Sequence, residues 1–399
     1  MKLINTETKN KVLESMITIL DQDRKLIIEA NKKDCDLFNK EDRAMYDRLV
    51  VNEKKVDGMI TSVKEVLQQE DPVGKLKSER NLENGLKIMN KTAPFGTIMI
   101  IYESRPDVTI EAAVLAFKAN NKILLKGGKE ALHSNKILEK CWHKALEQNG
   151  LSTDWIQLLH MNRTETQEFL KNPSEKLDLI VPRGGERLIA FVKEHAKCAV
   201  LVSGRGNNFL YVDKDADWQK SLKVILNAKT HKISACNALD KILIDSALPS
   251  YEEKLKELDT FLSENGVSVL VDKETGAVLK NESVIQDEAI WHEEFLAMKC
   301  CIGTVHGLDD AIDKINKYSG GHSSTVMTDN KDNALKFMEQ VDSAAVYHNA
   351  STRFTDGGAM GVGAELAIST DKLHHRGPLG LEQLVTNKYY VFGDGQIRN

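Results

Sequence analysis

Through the first stretch of the chain, roughly to Leu67, apolar residues fall at helical spacing among many charges, as in Val12, Met16, Ile19 and Leu20; this predicts amphipathic helices. The pattern changes at Gly96-Thr-Ile-Met-Ile-Ile-Tyr102, a β-branched run with the character of a buried strand. Glu103-Ser-Arg-Pro-Asp107 follows, then an apolar helical segment through Lys118, with Pro106 suited to its first turn and Asp107 to its positive end. The same unit recurs. Lys122–Lys126 leads into Gly127-Gly-Lys-Glu130 and a helix to about Gln148; Leu177–Val181 leads into Pro182-Arg-Gly-Gly-Glu186 and a helix to about His195. Cys198–Val202 then runs into Ser203-Gly-Arg-Gly-Asn-Asn208. Strands alternating with helices predict an α/β fold with a doubly wound parallel sheet, whose ligands gather at the carboxyl ends of the strands.

A second α/β region begins near the helix Ala216–Lys229, where Trp218, Leu222, Ile225 and Leu226 share a face. Its predicted strands are Lys241–Asp245, Ser268–Val271, Met298–Ile302, Ser324–Met327 and Ala344–Asn349. The tail holds a short β-forming segment, Lys388–Phe392, before Gly393-Asp-Gly395. A lone terminal strand must pair with something, and another subunit is one candidate.

Composition narrows the class. With 399 residues, 28% charged and 41% hydrophobic, the chain is an ordinary globular protein large enough for more than one domain. A net charge of only −5 without a long basic run argues against nucleic acid, and the apolar runs are too short for a bilayer. The N-terminus lacks the apolar stretch of a signal peptide, so the expected location is the cytoplasm, with reduced thiols. The six cysteines show no CxxC pair or other metal spacing, so no metal is expected. His322, His374 and His375 form no ligand spacing either, which leaves them solvated or loop-stabilising roles, while Cys300 and Cys301 read as core residues of a strand.

Among the cysteines, Cys236 differs in its neighbours Ser234, Ala235, Asn237 and Ala238, which are small or polar and leave a sulfur reachable. His231 and Lys232 stand upstream, where positive charge favours the nucleophilic thiolate. The glycine loops at 127, 184 and 204 suit a phosphate-bearing ligand, although G-x-G-x-x-G is absent and Gly204-Arg-Gly206 does not complete it. Asn349-Ala-Ser-Thr-Arg-Phe-Thr-Asp-Gly-Gly358 adds Arg353, suited to a carboxylate or phosphate, and Asp356, suited to an ammonium.

Over nearly its whole length the chain resembles the gamma-glutamyl phosphate reductases, a branch of the aldehyde dehydrogenase superfamily. The resemblance is carried by Tyr102-Glu-Ser-Arg-Pro-Asp-Val-Thr109, Leu125-Lys-Gly-Gly-Lys-Glu-Ala131, Asp178-Leu-Ile-Val-Pro-Arg-Gly-Gly185, Asn227-Ala-Lys-Thr230 and Cys236-Asn-Ala238. The most specific block is C-terminal: 349–358, Ala364-Glu365, Ile368-Ser-Thr370, Arg376-Gly-Pro378 and Gly393-Asp-Gly-Gln396. It implies a Rossmann-like NADP-binding domain (1–80 and 94–225), a catalytic α/β domain (226–365) and a small β oligomerisation unit (81–93 with 381–399), with 366–380 returning to the cofactor domain. It also implies a homo-oligomer, dimer or tetramer, that reduces a small-molecule acyl phosphate with NADP(H). By the same resemblance Cys236, Asn237 and Arg105 are catalytic, the oxyanion donors being the Cys236 N–H and either Arg105 or a neighbour in the Tyr102–Arg105 loop. Lys126, Gly127, Pro182, Gly184, Gly185 and Glu294 bind the cofactor; Asn349, Arg353 and Asp356 bind substrate.

Three departures shape that expectation. Ordinary aldehyde dehydrogenases carry a glutamate base where this chain has Val202-Ser203, and its loss disfavours deacylation by water. Ser319-Gly-Gly-His-Ser-Ser324 lacks the acid that follows the related family motif, and His231-Lys-Ile-Ser-Ala235 differs from the commoner residues before the cysteine. A reductase acting on another acyl phosphate or an acyl-CoA, and a silent paralogue that kept the fold, are the rival readings.

Overall fold

The computed structural model describes residues 2–39, 43–280, 283–373 and 375–398. The chain packs as two compact units: Met1–Val202 with Val362–Ala367 and Leu379–Asn399, and Ser203–Gly361 with Ile368–Pro378.

The first unit opens with helices α1 (Thr6–Gln22), α2 (Arg24–Leu37), α3 (Arg43–Leu49) and α4 (Glu53–Gln68). Asn5 and Asn52 cap α1 and α4 by accepting backbone N–H bonds from Thr8 and Lys55. A hairpin of β1 (Leu76–Asn81) and β2 (Lys87–Pro94) comes next. The sheet elements follow: β3 (Thr97–Tyr102), α5 (Val108–Lys118), β4 (Lys122–Lys126), α6 (Leu132–Gln148) and β5 (Ile156–Leu158). Then come α7 (Arg163–Lys171), β6 (Leu179–Arg183), α8 (Glu186–His195) and β7 (Ala199–Val200). The five strands are parallel in the order β5-β4-β3-β6-β7. Alternate residues explain why both faces are covered. Ile98, Ile100, Ile123, Leu125 and Val181 share a core with α1, α4, α5 and α6, while Met99, Ile101, Leu124 and Ile180 pack with Leu170 of α7 and Val192 of α8.

Two boundaries differ from the sequence reading. Strand β6 is displaced by two residues, so Pro182 is inside the strand, opposite Ile101, rather than in the loop after it. Proline fits because Ile180 accepts the Leu201 N–H; Pro182, two residues on, faces the same side, where β7 has already ended. Pro106 lies one residue ahead of Asp107, the cap of α5, rather than in the first turn.

The second unit contains β8 (Asn208–Val212), α9 (Trp218–Thr230), β9 (Leu239–Asp245), α10 (Tyr251–Glu264), β10 (Ser268–Val271) and α11 (Lys273–Leu279). It continues with β11 (Lys299–Val305), α12 (Leu308–Tyr318), β12 (Ser323–Met327), α13 (Lys331–Gln340) and β13 (Ala345–His348). Two short antiparallel strands, β14 (Ile368–Ser369) and β15 (Gly377–Pro378), complete it. Its six-stranded parallel sheet has the order β10-β11-β9-β8-β12-β13. Cys300 packs with Ile242, Ile244 and the α9 and α10 side chains; Cys301 packs on the opposite face with Phe209, Leu243 and the α12 side chains. Both are fully buried core residues. Strand β8, central in this sheet, is a buried run that the sequence reading passed over.

The chain ends in β16 (Val385–Phe392), which belongs to the first unit and pairs antiparallel with β2 from Val385–Pro94 to Phe392–Lys87. The terminal strand therefore finds its first partner inside the chain, in a sheet of order β1-β2-β16. The hairpin it joins spans Leu76–Pro94, wider than the expected 81–93.

Candidate active site

Cys236 lies in the segment between α9 and β9, entering the amino end of a central strand. This is the opposite edge from the carboxyl ends where α/β sheets usually bind ligands. The loops before β8 and β12 run beside it. Asn208 is the hub: its Nδ2 lies 2.8 Å from the Cys236 carbonyl oxygen, 2.6 Å from that of Ala238 and 2.7 Å from that of Gly206. Its Oδ1 accepts the Ser323 N–H at 3.0 Å. Gly206 touches the cysteine backbone so closely that a Cβ there would stand 1.8 Å from the Cys236 oxygen. Gly320 is confined in the same way, 2.1 Å from the Arg205 oxygen. These glycines serve close backbone approach, and only glycine permits it.

On the other side, Asn237 Nδ2 donates to the carbonyls of Thr355 (3.0 Å) and Arg353 (3.2 Å), and the Thr352 hydroxyl donates to the Asn237 carbonyl at 2.7 Å. Asn237 thus ties the cysteine segment to the 352–355 turn. Arg353 Nε donates to His231 Nδ1 at 3.4 Å, and its Nη1 is buried without a hydrogen-bond partner. Burial lowers the Arg353 pKa, against the opposing fields of Cys236 and Asp356. Asp356 accepts the Ala359 N–H at 3.1 Å. Asn349, at φ 53°, spends both ends of its amide on Thr328, accepting its N–H at 2.9 Å and donating to its carbonyl at 2.8 Å.

A buried ion pair closes the cysteine segment at its base: Lys229 Nζ on α9 lies 2.8 Å from Asp240 Oδ1 on β9, with side chains 0% and 2% exposed. The second Asp240 oxygen accepts the Phe295 N–H at 2.9 Å, and Lys241 Nζ donates to the Glu293 carbonyl at 2.7 Å. The backbone on both sides of Glu294 is therefore pinned by charges from β9, and Glu294 itself is half-buried.

His322 departs from the expected solvated or loop-stabilising role. It is fully buried at the start of the Ser323–Thr355–Tyr347 hydroxyl chain, and burial pulls its pKa down to about 4. His375 does stabilise a loop, through Nε2 and the Pro378 carbonyl at 2.8 Å, while His374 lies outside the described residues. Ser324 pairs with Ser343 at 2.9 Å inside the core, so the position of the missing acid is filled by a neutral hydroxyl pair. Among the described residues no group of three or more His, Cys, Asp or Glu side chains is placed to hold a metal.

Arg105, Lys126, Gly127, Pro182, Gly184 and Gly185 belong to the first unit. Strands β3, β4 and β6 all end toward the same edge, so their following loops share it. Lys126 Nζ donates to the Gly127 carbonyl at 2.8 Å, and burial lowers its pKa. A Cβ on Gly127 would stand 2.2 Å from Asn135 Nδ2. Gly185 caps α8, and its N–H reaches the Glu103 carboxylate at 3.3 Å, so an anionic group already occupies this helix start. Arg105 lies 3.3 Å from Asp107; burial raises the pKa of that carboxyl, but Arg105 and Lys55 outweigh it and the net shift is downward.

The aldehyde dehydrogenase family model matches residues 1–282 and 274–364. A gamma-glutamyl phosphate reductase from Persephonella marina is 38% identical over 408 residues, covering 100% of this chain and 91% of the relative. The chain belongs to the gamma-glutamyl phosphate reductase family. Another member, from Clostridium beijerinckii, is 40% identical over 398 residues, covering 99% of this chain and 95% of the relative. The crystal structure of the Thermotoga maritima gamma-glutamyl phosphate reductase matches with a TM-score of 0.94 at 40% identity, covering 99% of this chain and 95% of that one. The chain is thus an oxidoreductase with the aldehyde dehydrogenase-like α/β fold.

Several residues of the site escaped sequence reasoning. Asn208 and Gly206 were visible only as an incomplete nucleotide pattern, Lys229 only within the motif Asn227-Ala-Lys-Thr230, and Asp240 only as a charge in apolar surroundings. The usable signal was that last one: ionisable residues inside a helix face and a strand that bury everything else need partners.

Proposed function

We propose that the chain catalyses NADPH-dependent reduction of L-glutamate 5-phosphate to L-glutamate 5-semialdehyde with release of phosphate, the second step of proline biosynthesis. The observation that carries this is the half-buried Cys236, clamped through its own backbone beside the guanidinium of Arg353, in a chain of this family.

The Cys236 thiolate attacks carbon 5 of the acyl phosphate. A C–S bond forms, the C–O bond to phosphate breaks, and phosphate departs with the electron pair. Positive charge near the sulfur favours the thiolate. NADPH, when bound, supplies the hydride that reduces the resulting thioester. The oxyanion of each tetrahedral state falls to the Cys236 N–H, while Asn237 holds the cysteine segment in place through the Thr355 and Arg353 carbonyls. After reduction the C–S bond breaks, the aldehyde leaves and the thiolate returns. Ser203 stands where related enzymes place their water-activating glutamate, so the acyl group passes to phosphate or hydride rather than to water.

The residues present fit a dinucleotide. The cradle at Gly127 has no room for a Cβ, the Gly185 N–H at the start of α8 donates to an anionic oxygen of Glu103, and Lys126 is a half-buried cation. Lys126, Gly127, Pro182, Gly184 and Gly185 would hold the adenosine and pyrophosphate portions. A homo-oligomer formed through the outer edge of β16, in the cytoplasm, completes the proposal; Tyr389, Val391 and Phe392 are exposed there.

The reverse reaction is the test. Supplied with L-glutamate 5-semialdehyde and NADP⁺, the protein forms NADPH steadily only when phosphate is added. Turnover with coenzyme A instead of phosphate, or none with phosphate, overturns the proposal.

A further inference from the structure

We infer that Arg353 is the ligand of the phosphate leaving group, and does not hold the α-carboxylate at the other end of the substrate. The inference deepens the proposed function and rests on it. Arg353 is fixed at both ends of the cysteine segment: its Nε is bonded to His231, and its carbonyl accepts from Asn237, the residue after the nucleophile. Its backbone N–H is held by the Ser351 hydroxyl at 3.3 Å. A guanidinium held in this way still has a buried Nη1 with no hydrogen-bond partner. A buried charged donor left unsatisfied is costly, so an anion supplied by the substrate is the group this position fits.

The chemistry decides which anion. The carbon attacked by Cys236 is the one that bears the phosphate, so the phosphate must lie next to the sulfur in any productive approach. The α-carboxylate is at the far end of the carbon chain. A cation whose field reaches Cys236 therefore meets the phosphate first. As the C–O bond breaks, the electron pair moves onto the departing phosphate oxygen, and the planar fork of an arginine can follow that charge with two donors. In the reverse direction the same fork would deliver inorganic phosphate to the thioester.

The test compares the wild type with Arg353→Gln and Arg353→Lys in the reverse reaction. The inference expects the KM for inorganic phosphate to rise by about 10- to 100-fold in Arg353→Gln, less in Arg353→Lys, with the KM for the semialdehyde nearly unchanged. A raised semialdehyde KM with an unchanged phosphate KM assigns Arg353 to the α-carboxylate and overturns the inference. A second readout needs no turnover. In the wild type, iodoacetate should alkylate Cys236 faster relative to neutral iodoacetamide than in Arg353→Gln, and inorganic phosphate should slow iodoacetate in the wild type alone. If phosphate gives no protection to a wild type that does use phosphate in turnover, the inference fails while the proposed function stands. A wild type without phosphate-dependent turnover removes both.

Discussion

Replacing Gly206 by alanine isolates the clamp on the nucleophile. The added Cβ would stand 1.8 Å from the Cys236 oxygen and 2.6 Å from its Cα, whereas real Cβ contacts essentially never fall below 3.0 Å. Neither backbone can yield alone, because the Asn208 amide lies against the carbonyls of both Gly206 and Cys236. The two segments must therefore part by about 1 Å, and a displacement of that size at a reacting group costs on the order of 100-fold in rate. Overpacking of this kind costs about 1–3 kcal/mol in stability, which leaves a folded protein to assay. The measurements are kcat in the reverse reaction, the melting temperature and the iodoacetamide rate at Cys236. The expectation is a large loss of kcat with a modest fall in melting temperature. Gly58→Ala is the control: it lies within α4 with nothing within 4 Å of its Cβ, and should stabilise by about 1 kcal/mol without altering turnover. Turnover of Gly206→Ala within about threefold of wild type would refute the claim that this contact positions the cysteine.

Other consequences follow from the buried charges and the sheet edge. Lys229→Met leaves Asp240 uncompensated and should cost about 3–5 kcal/mol in chemical denaturation, while a loss below about 1 kcal/mol would mean that the pair holds nothing. His322 has a folded pKa of about 4 against 6.5 for an ordinary histidine, so the unfolded chain takes up a proton that the folded one refuses. Stability should therefore fall as pH drops from about 6.5 to 4, by about 3 kcal/mol in all from this residue. His322→Asn should flatten that slope in urea titrations at pH 7 and 5, and parallel curves would contradict it. Val391→Lys on β16 should shift sedimentation toward the monomer, and an unchanged profile would place the oligomer interface elsewhere.

Much of the first sheet was legible because its strands are continuous apolar runs ending in glycine or polar loops. What failed there was local. Pro182 was read as a loop residue because proline usually breaks a strand, but the strand on its unpaired side has already ended. Strand β5 is only three residues long, too short for any periodicity. In the second sheet, Asn208 was taken as the end of a loop, and the central strand it begins was lost with it. Cys236 and Arg353 stood out because small neighbours and a glycine-rich setting are local properties, whereas Asn237 entered through the family resemblance alone. Their supports did not stand out: Asn208 acts on residues 28 and 30 positions away, and Asp240 on Phe295, 55 positions away. Such partnerships exist only once the strands are in register. Asn349 shows the converse, since a polar residue in a suggestive loop turned out to have both ends of its amide engaged by Thr328.

The central claim is that Cys236 carries the acyl group. The most direct measurement is peptide mass spectrometry of the full-length protein, acid-quenched after mixing with L-glutamate 5-semialdehyde and NADP⁺ in the absence of phosphate. Hydride leaves for NADP⁺, no acceptor is present, and a glutamyl thioester should accumulate on the Cys236 peptide and vanish when phosphate is added. An adduct on another cysteine, such as the half-buried Cys198, or NADPH formed with no adduct at all, would contradict the account.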